Sequence, residues 1–241
     1  MTSSYLDLLK LVLTGMIYED PDTGPNAAGV YDANNRRAGK DAPKTAMTMV
    51  GLERLNSLEE MIRTIDKEHV LGDVIEAGCW RGGASIFMRA ALNDTHQQGR
   101  TVFVTDSFEG LPRPTSFYDT AIVFHEKVRD YLKVSQEEVE ANFAKFGLSD
   151  GVYYIKGWFK DLDWSPVQWL ALLRADGDMY DSTMDILNGL YPKVSPGGFV
   201  VIDDYLSWPA CRVAVTDFRD HAGITAPIHV IDWSAAYWRK P

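Results

Sequence analysis

Short apolar segments alternate with amphipathic ones from residue 73 to residue 221, and this alternation restricts the fold more than any other feature of the sequence. Strands are predicted at 73–77, 101–105, 152–155, 169–175 and 199–202, and helices at 84–92, 135–146, 182–190 and 210–221. Strands joined through helices pair in parallel, so we expect a doubly wound α/β sheet. Two further runs, 228–231 and 236–238, lie close in the chain and are predicted to pair antiparallel as a C-terminal hairpin.

The segments around this core are predicted to cover it. The apolar residues at 8, 9, 12, 13 and 16 fall on one side of a helix. Residues 20–44 are polar and predict a loop or a mobile flap, and Ser57 with Glu60 predicts a capping box that opens a helix at 58–68. We expect one domain over 1–241: a helical extension or lid at 1–70, then an α/β core at 71–241 with an insertion at about 112–133.

The charge balance excludes several classes of partner. Lys and Arg total 24 against 34 Asp and Glu, for a formal net charge of -10. Binding to nucleic acid or to an anionic membrane requires a cationic face, and no basic run supplies one. No apolar run approaches the roughly 18 residues of a membrane span. Cys79 and Cys211 are the only cysteines, so we expect a reduced, cytoplasmic protein without a disulfide framework.

A glycine-containing turn follows the first strand, where an open α/β sheet binds its ligands. The pattern differs from G-x-G-x-x-G, and the next acid at a strand end, Asp106, comes 28 residues after Gly78. A nicotinamide fold would place that acid about 20 residues on. A carboxylate there, helped by Ser107, can accept both ribose hydroxyls of S-adenosylmethionine, and Glu76 could hold the amino-acid end through water or Arg81. The cofactor contacts predicted around this turn are Glu76, Ala77, Gly78, Arg81, Gly82, Ala84, Ser85, Asp106 and Ser107. An ordinary strand-to-helix turn is the alternative.

Two neighbouring strands end in pairs of acids, Asp176 with Asp178 and Asp203 with Asp204. Such crowding is unfavourable unless a cation neutralises it, and oxygen ligands favour Mg²⁺. Asp176, Asp203 and Asp204 are the predicted ligand set, with open positions that suit a vicinal diol. A helix cap or a solvated loop would also explain such acids. The five histidines have no zinc-ligand spacing, and only His125, in the insertion, is a candidate for contact with the acceptor.

Five ordered motifs resemble the macrocin O-methyltransferase family, whose members methylate sugars on macrolide and aminocoumarin antibiotics. The motifs lie at 76–83 (EAGCWRGG), 106–110 (DSFEG), 156–160 (KGWFK), 176–178 (DGD) and 202–205 (IDDY). The resemblance runs from Tyr5 to Arg239 and is specific because all five motifs occur in order. The segment between Pro112 and Lys133 matches no motif, so the acceptor stays open.

The resemblance implies the class I methyltransferase fold, a Rossmann-like sheet of seven mostly parallel strands. It also implies Mg²⁺ on the three predicted ligands, Asp178 as general base, and Asp176 in contact with the cofactor as well. Gly157 and Trp158 would lie by the adenine, and Thr45 and Met47 belong to a stretch that closes over the cofactor. Members of the family are homo-oligomers, commonly dimers or tetramers.

The function expected from these features is Mg²⁺- and S-adenosylmethionine-dependent O-methylation of a sugar hydroxyl in a small glycosylated natural product. Two alternatives stay open at this point. The first is the same chemistry on a catechol or another phenol, which is acidic enough to need little from a general base. The second is a non-catalytic scaffold that only binds the cofactor.

Overall fold

A computed structural model describes residues 4–24, 27, 29–120 and 126–241, and within these ranges the chain forms a sheet of seven strands. The strands are β1 Asp73–Ala77, β2 Val102–Asp106, β3 Val152–Lys156, β4 Leu170–Ala175, β5 Val194–Ile202, β6 His229–Val230 and β7 Ala236–Arg239. Their order in the sheet is β3-β2-β1-β4-β5-β7-β6. Strands β1 to β5 pair in parallel, and β7 is antiparallel to both β5 and β6. The predicted doubly wound sheet with an antiparallel C-terminal hairpin is confirmed.

Helices cover both faces of this sheet. They are α1 Ser4–Leu13, α2 Ala33–Ala38, α3 Leu52–Lys67, α4 Gly83–Asp94, α5 Phe117–Thr120, α6 Glu126–Leu132, α7 Gln136–Lys145, α8 Tyr180–Leu190 and α9 Pro209–His221. One apolar core includes Leu6, Leu55 and Phe87, and the other includes Ile186 and Val215. Among the described residues, no helix has the length and apolar character needed to cross a bilayer.

The central strands are mostly apolar because helices lie on both sides of them. All six residues of β4 are buried, and four of the five residues of β1 are buried. Two charged side chains, Glu76 and Arg174, interrupt these apolar runs and are themselves buried. A buried charge is stable only when it is paired, so these two residues point to a buried ionic site.

Helix α3 begins at Leu52, six residues before the predicted start at 58. Its N-cap is Gly51, and no side chain caps it. Ser57 and Glu60 therefore lie inside the helix, and the predicted capping box is wrong. The additional turn buries Leu55 completely and carries Arg54 toward the sheet, which stabilises the longer helix more than a side-chain cap at Ser57 would.

The segment 20–44 was predicted as a loop or flap, and the structure instead contains a short helix tied to the rest of the chain. Asp32 caps helix α2 by accepting from the backbone N–H of Asn35 at 2.8 Å. The side chain of Arg36 is buried between Asp41, at 2.9 Å, and the backbone carbonyl oxygens of Thr14 and Asp20. These bonds fix the segment against helix α1.

Strand β5 begins earlier than predicted, because Pro196 and the two glycines after it form a bulge rather than a turn before the strand. Val194 pairs with Leu170, while Phe199 already pairs with Leu172. The extra residues of β5 bulge out between these two pairs. Pro196 has no N–H to donate to the neighbouring strand, and at a bulge no such hydrogen bond is required.

Candidate active site

The carboxyl ends of β1, β2, β4 and β5 open into one cavity of about 860 Å³. Its volume is within the range of small-molecule pockets, roughly 300–1,000 Å³. The walls are completed by residues 39–42 and 48–50, by residues 110–113 of the insertion, and by Trp233 and Ser234. The sheet edge thus brings the N-terminal extension, the insertion and the C-terminal hairpin to one site.

Most of the predicted site residues line this cavity. They are Glu76, Gly78, Asp106, Ser107, Gly157, Trp158, Asp176, Asp178, Asp203 and Asp204. The other predicted residues do not form the wall of the cavity: Thr45, Met47, Ala77, Arg81, Gly82, Ala84 and Ser85. His125, the suggested acceptor contact, lies outside the described residues.

Asp106 and the glycine turn hold each other in place. The carboxylate of Asp106 accepts from the backbone N–H of Cys79 at 2.9 Å and from that of Phe108 at 2.8 Å. Gly78 has φ +93° and lies so close to Asp176 that an added Cβ would be 1.9 Å from its carbonyl oxygen. Only glycine fits there, so the turn, the end of β2 and the end of β4 have a fixed spacing.

Glu76 has a different partner from the one expected. Its carboxylate accepts from Nη1 of Arg174 at 2.5 Å and from the hydroxyl of Ser85. Arg81 points elsewhere and donates to the backbone carbonyl oxygens of Pro43, Lys44 and Ala46. The suggested bridge from Glu76 through Arg81 to a ligand is therefore wrong, and Arg81 holds the N-terminal extension instead.

Three carboxylates converge at the ends of β4 and β5. Asp176, Asp178 and Asp204 each offer one oxygen, and these oxygens lie within 4.8 Å of one another. Burial and then the neighbouring acids raise the pKa of Asp178 to about 8, and the pKa of Asp204 also rises to about 8 for the same reasons. The Oδ2 atom of Asp204 is buried without a hydrogen-bond partner among the described residues. The cluster carries more negative charge than its surroundings neutralise.

Asp203, the fourth acid, has cationic neighbours. Its Oδ1 accepts from Arg174 at 2.5 Å, and its Oδ2 accepts from Arg54 at 2.5 Å. Burial acts to raise the pKa of Asp203, but the two guanidinium groups hold it below its ordinary value. Arg54 also donates to Asp232, at 2.9 Å. A carboxylate has about four lone-pair sites, so Asp203 retains acceptor capacity beyond these two bonds.

Sequence reasoning missed Arg54 and Arg174, which pair with the acids of the site. It also missed Asp119, which lines the same cavity. The excess of acids at the ends of β4 and β5 indicates that cations must lie nearby, but it does not say which ones.

The aromatic residues near the C-terminus differ in their positions. Trp233 is 43% exposed on the cavity wall and donates to the carbonyl of Ala38, whereas Trp238 is buried.

Comparison with known proteins identifies the family of this chain. The model of the macrocin O-methyltransferase (TylF) family matches residues 2–240. An 8-demethyl-8-(2,3-dimethoxy-α-L-rhamnosyl)-tetracenomycin-C 4'-O-methyltransferase from Streptomyces olivaceus is 47% identical, over 98% of this chain and 92% of that protein. A mycinamicin III 3''-O-methyltransferase from Micromonospora griseorubida is 42% identical, over 98% and 96% of the two chains.

The solved structure of the O-methyltransferase NovP has the same fold throughout. It superposes with a TM-score of 0.92 at 41% identity, covering 98% of each chain. The resemblance predicted from the five motifs is confirmed, and with it the class I S-adenosylmethionine-dependent methyltransferase fold. The chain therefore belongs to the macrocin O-methyltransferase family and is an O-methyltransferase.

Proposed function

We propose that this enzyme transfers the methyl group of S-adenosylmethionine to a sugar hydroxyl of a small glycosylated natural product, with Mg²⁺ at the carboxylate cluster. The observation that carries the proposal is the convergence of three carboxylate oxygens within 4.8 Å, in the same cavity as Asp106. The names of two relatives, which act on a rhamnosyl tetracenomycin and on mycinamicin III, support a glycoside as the acceptor.

The cofactor would occupy the half of the cavity around β1 and β2. Asp106 faces that half and would accept from the ribose hydroxyls, with Ser107 beside it. Gly157 and Trp158 line the same cavity and would lie along the adenine. Thr45 and Met47 belong to the segment just before residues 48–50, which line the cavity. These two residues would help that segment to close over the cofactor. When bound, S-adenosylmethionine supplies a methyl group on a positively charged sulfur.

The residues at the ends of β4 and β5 fit a hard cation. All the donors are carboxylate oxygens, and Asp204 has a buried oxygen with no partner among the described residues. Asp176 and Asp204 would hold the ion, and Asp203 would complete the set with its remaining acceptor capacity. When bound, Mg²⁺ supplies a charge that lowers the pKa of a nearby acceptor hydroxyl.

Asp178 would act as the general base. A cation held by Asp176 and Asp204 would lower the pKa of Asp178, which would then be ionised near neutral pH. Asp178 then takes the proton of the acceptor hydroxyl while the hydroxyl oxygen bonds to the methyl carbon and the carbon–sulfur bond breaks. The products are a methyl ether and S-adenosylhomocysteine.

The chain would act as one catalytic domain, with residues 1–70 as its cover. The insertion, whose residues 110–113 line the cavity, would contact the acceptor. A homodimer or a higher homo-oligomer stays a prediction.

A panel of acceptors tests the proposed function. The rhamnosyl tetracenomycin named above, mycinamicin III and plain catechol would each be incubated with S-adenosylmethionine and Mg²⁺, and methylation measured by mass spectrometry. We expect methylation of at least one glycoside, loss of that activity with EDTA, and recovery with added Mg²⁺. Preferential methylation of catechol would favour the phenolic alternative, and full turnover in EDTA would contradict the metal site.

A single substitution tests the base. Asp178→Asn keeps the shape of the side chain and removes the proton acceptor, so kcat should fall about 10²–10⁴-fold, the usual effect of losing a positioned base. S-adenosylhomocysteine should still bind with nearly unchanged affinity in calorimetric titration, because the substitution is at the carboxylate end of the cavity. Normal turnover by this variant would mean that another group accepts the proton.

A further inference from the structure

Helix α8, which starts two residues after Asp178, has no capping side chain of its own. Its N-cap is Met179, whose side chain makes no capping hydrogen bond. The cap comes instead from the insertion. Asp119 accepts from the backbone N–H of Tyr180 at 2.8 Å through Oδ1, and its Oδ2 lies 3.4 Å from the N–H of Asp181. Asp119 is 0% exposed, so this carboxylate is built into the start of α8, 61 residues away in sequence.

The backbone just before this cap has an uncommon conformation. Asp178 has φ +53°, in the left-handed region, which is uncommon for residues with a side chain although Asp adopts it more readily than most. On one side, Gly78 packs closely against the carbonyl of Asp176. On the other side, the chain enters α8, whose first N–H groups are held by Asp119. Asp178 is thus fixed between the glycine turn and a side chain of the insertion.

Two more contacts dock the insertion on the start of α8. The hydroxyl of Thr115 donates to the carboxylate of Asp181 at 2.5 Å. The ring of Tyr118 stacks on that of Tyr180, with centroids 4.8 Å apart and planes at 28°. Residues 110–113, just before these contacts, line the cavity. The segment that borders the cavity is therefore the same one that caps the helix behind Asp178.

We propose that Asp119 is a positioning residue for the reaction: it acts through Asp178, whose carboxylate it holds at the cavity by capping helix α8 from the insertion. This inference rests on the proposed function, in which Asp178 is the base. It also couples the wall of the acceptor pocket to the position of the base.

The test compares Asp119→Ala and Asp119→Asn with wild type, using the rhamnosyl tetracenomycin acceptor, or mycinamicin III if that is the better substrate. A small displacement of a catalytic group can cost about 10²-fold in rate, and we expect a fall of that order in kcat for Asp119→Ala. The KM for S-adenosylmethionine should stay unchanged. Asp119→Asn keeps an oxygen acceptor for the N–H of Tyr180 and should recover most of the lost rate. Ser135→Ala is the matched control, since Ser135 is exposed and caps helix α7 by accepting from the N–H of Glu138. It should lower thermal stability without changing kcat.

A double variant separates positioning from general destabilisation. If Asp119 acts through Asp178, then Asp119→Ala should cost nothing further in an Asp178→Asn background. An equal loss in both backgrounds, or a wild-type kcat in Asp119→Ala, would overturn the inference. A normal rate in Asp178→Asn alone would show that Asp178 is not the base. That part of the proposed function and this inference would then both fail. An inactive Asp178→Asn together with a fully active Asp119→Ala would overturn the inference alone.

Discussion

Asp203 and Asp204 are adjacent in sequence and opposite in their electrostatic surroundings. Asp203 is buried between Arg54 and Arg174, whereas other acids have a larger effect on the pKa of Asp204 than Arg54 has. Removing one partner of a buried ion pair costs about 3–5 kcal/mol. Asp203→Ala should therefore lower Tm strongly and reduce activity through the fold as well as through the metal.

The matching change at Asp204 should give the reverse pattern. Asp204→Asn removes one of several crowded negative charges, so the Tm of the ion-free protein should stay the same or rise while Mg²⁺-dependent turnover is lost. Thermal denaturation in EDTA and turnover in Mg²⁺ measure the two effects separately. Equal losses of Tm in both variants would contradict the assignment of Asp203 to the arginine pair.

Asp106 has two roles that one substitution should expose. It would bind the ribose, and it also accepts from the backbone of Cys79 and Phe108. Hydrogen bonds to a charged group contribute about 1.5–3 kcal/mol, so Asp106→Ala should weaken S-adenosylhomocysteine binding by at least about 10-fold while the sheet still folds. Calorimetric titration measures this, with Asp150→Ala on an exposed turn as the control. Unchanged affinity would contradict the ribose assignment.

At the scale of elements, the segment 43–46 is held from both sides. Asp20 accepts from the backbone N–H groups of Thr45 and Ala46 at 2.8 and 2.9 Å. Arg81 donates to the carbonyl oxygens of Pro43, Lys44 and Ala46. Arg81, which lies in the glycine turn, therefore fixes the segment 43–46, although Arg81 does not line the cavity itself.

Removing the donors of Arg81 should loosen the segment 43–46 and weaken cofactor binding. Arg81→Met keeps the length of the side chain and removes its donors, so we expect faster limited proteolysis near residues 43–46 and a lower affinity for S-adenosylhomocysteine. Saturating ligand should restore protection if the cofactor orders the same segment. Proteolysis at the wild-type rate would show that the other contacts, from Asp20 and from the hydroxyl of Tyr131 to the carbonyl of Pro43, hold the segment without Arg81.

The elements differ in how far the sequence predicts them. Strands β1, β2 and β4 are buried on both faces, so short apolar runs marked them to within a residue or two. The edge strand β3 is only partly buried, and its short apolar run marked it equally well. The ends of β4 and β5 brought the acids together as expected. The start of the helix predicted at 135–146 was also correct to within a residue, because the hydrogen bond that caps it, from the N–H of Glu138 to Ser135, is local. The early start of α3, the bulge at Pro196 and the cap from Asp119 depend on contacts between distant segments, which local patterns do not contain.

At the scale of the whole molecule, buried ion pairs link segments that are far apart in sequence. Arg174 on β4 contacts Glu76 on β1, Asp176 beyond β4 and Asp203 beyond β5. Arg54 on α3 extends the chain of pairs to Asp232 before β7. Two arginines therefore serve four carboxylates, while Asp178 and Asp204 add charge beside them. The fold holds an excess of negative charge at the edge where the acceptor would bind.

This excess predicts how stability depends on pH. The folded-state pKa of Asp178 and of Asp204 is raised to about 8, far above the ordinary value near 4. Between about pH 4 and about pH 8 these two carboxyl groups bind more protons in the folded state than in the unfolded state. Their contribution to the free energy of unfolding therefore falls as pH rises toward 8. Asp203 has a lowered pKa, and its contribution is lost only in acid, outside this range.

Mg²⁺ should therefore stabilise the protein more in alkali than in mild acid. At about pH 6 the ion must displace protons from the cluster, whereas at about pH 9 it meets free carboxylates. Solvent screens half-buried groups, so we expect a difference of about 1–2 kcal/mol, or about 2–8 °C in Tm. Thermal denaturation with Mg²⁺ or EDTA at both pH values measures it. In a double variant, Asp178→Asn with Asp204→Asn, the difference should become much smaller, because two of the three acids of the cluster whose pKa is raised are gone and only Asp176 remains. A larger effect of Mg²⁺ at pH 6 than at pH 9 would contradict the placement of the ion at these carboxylates.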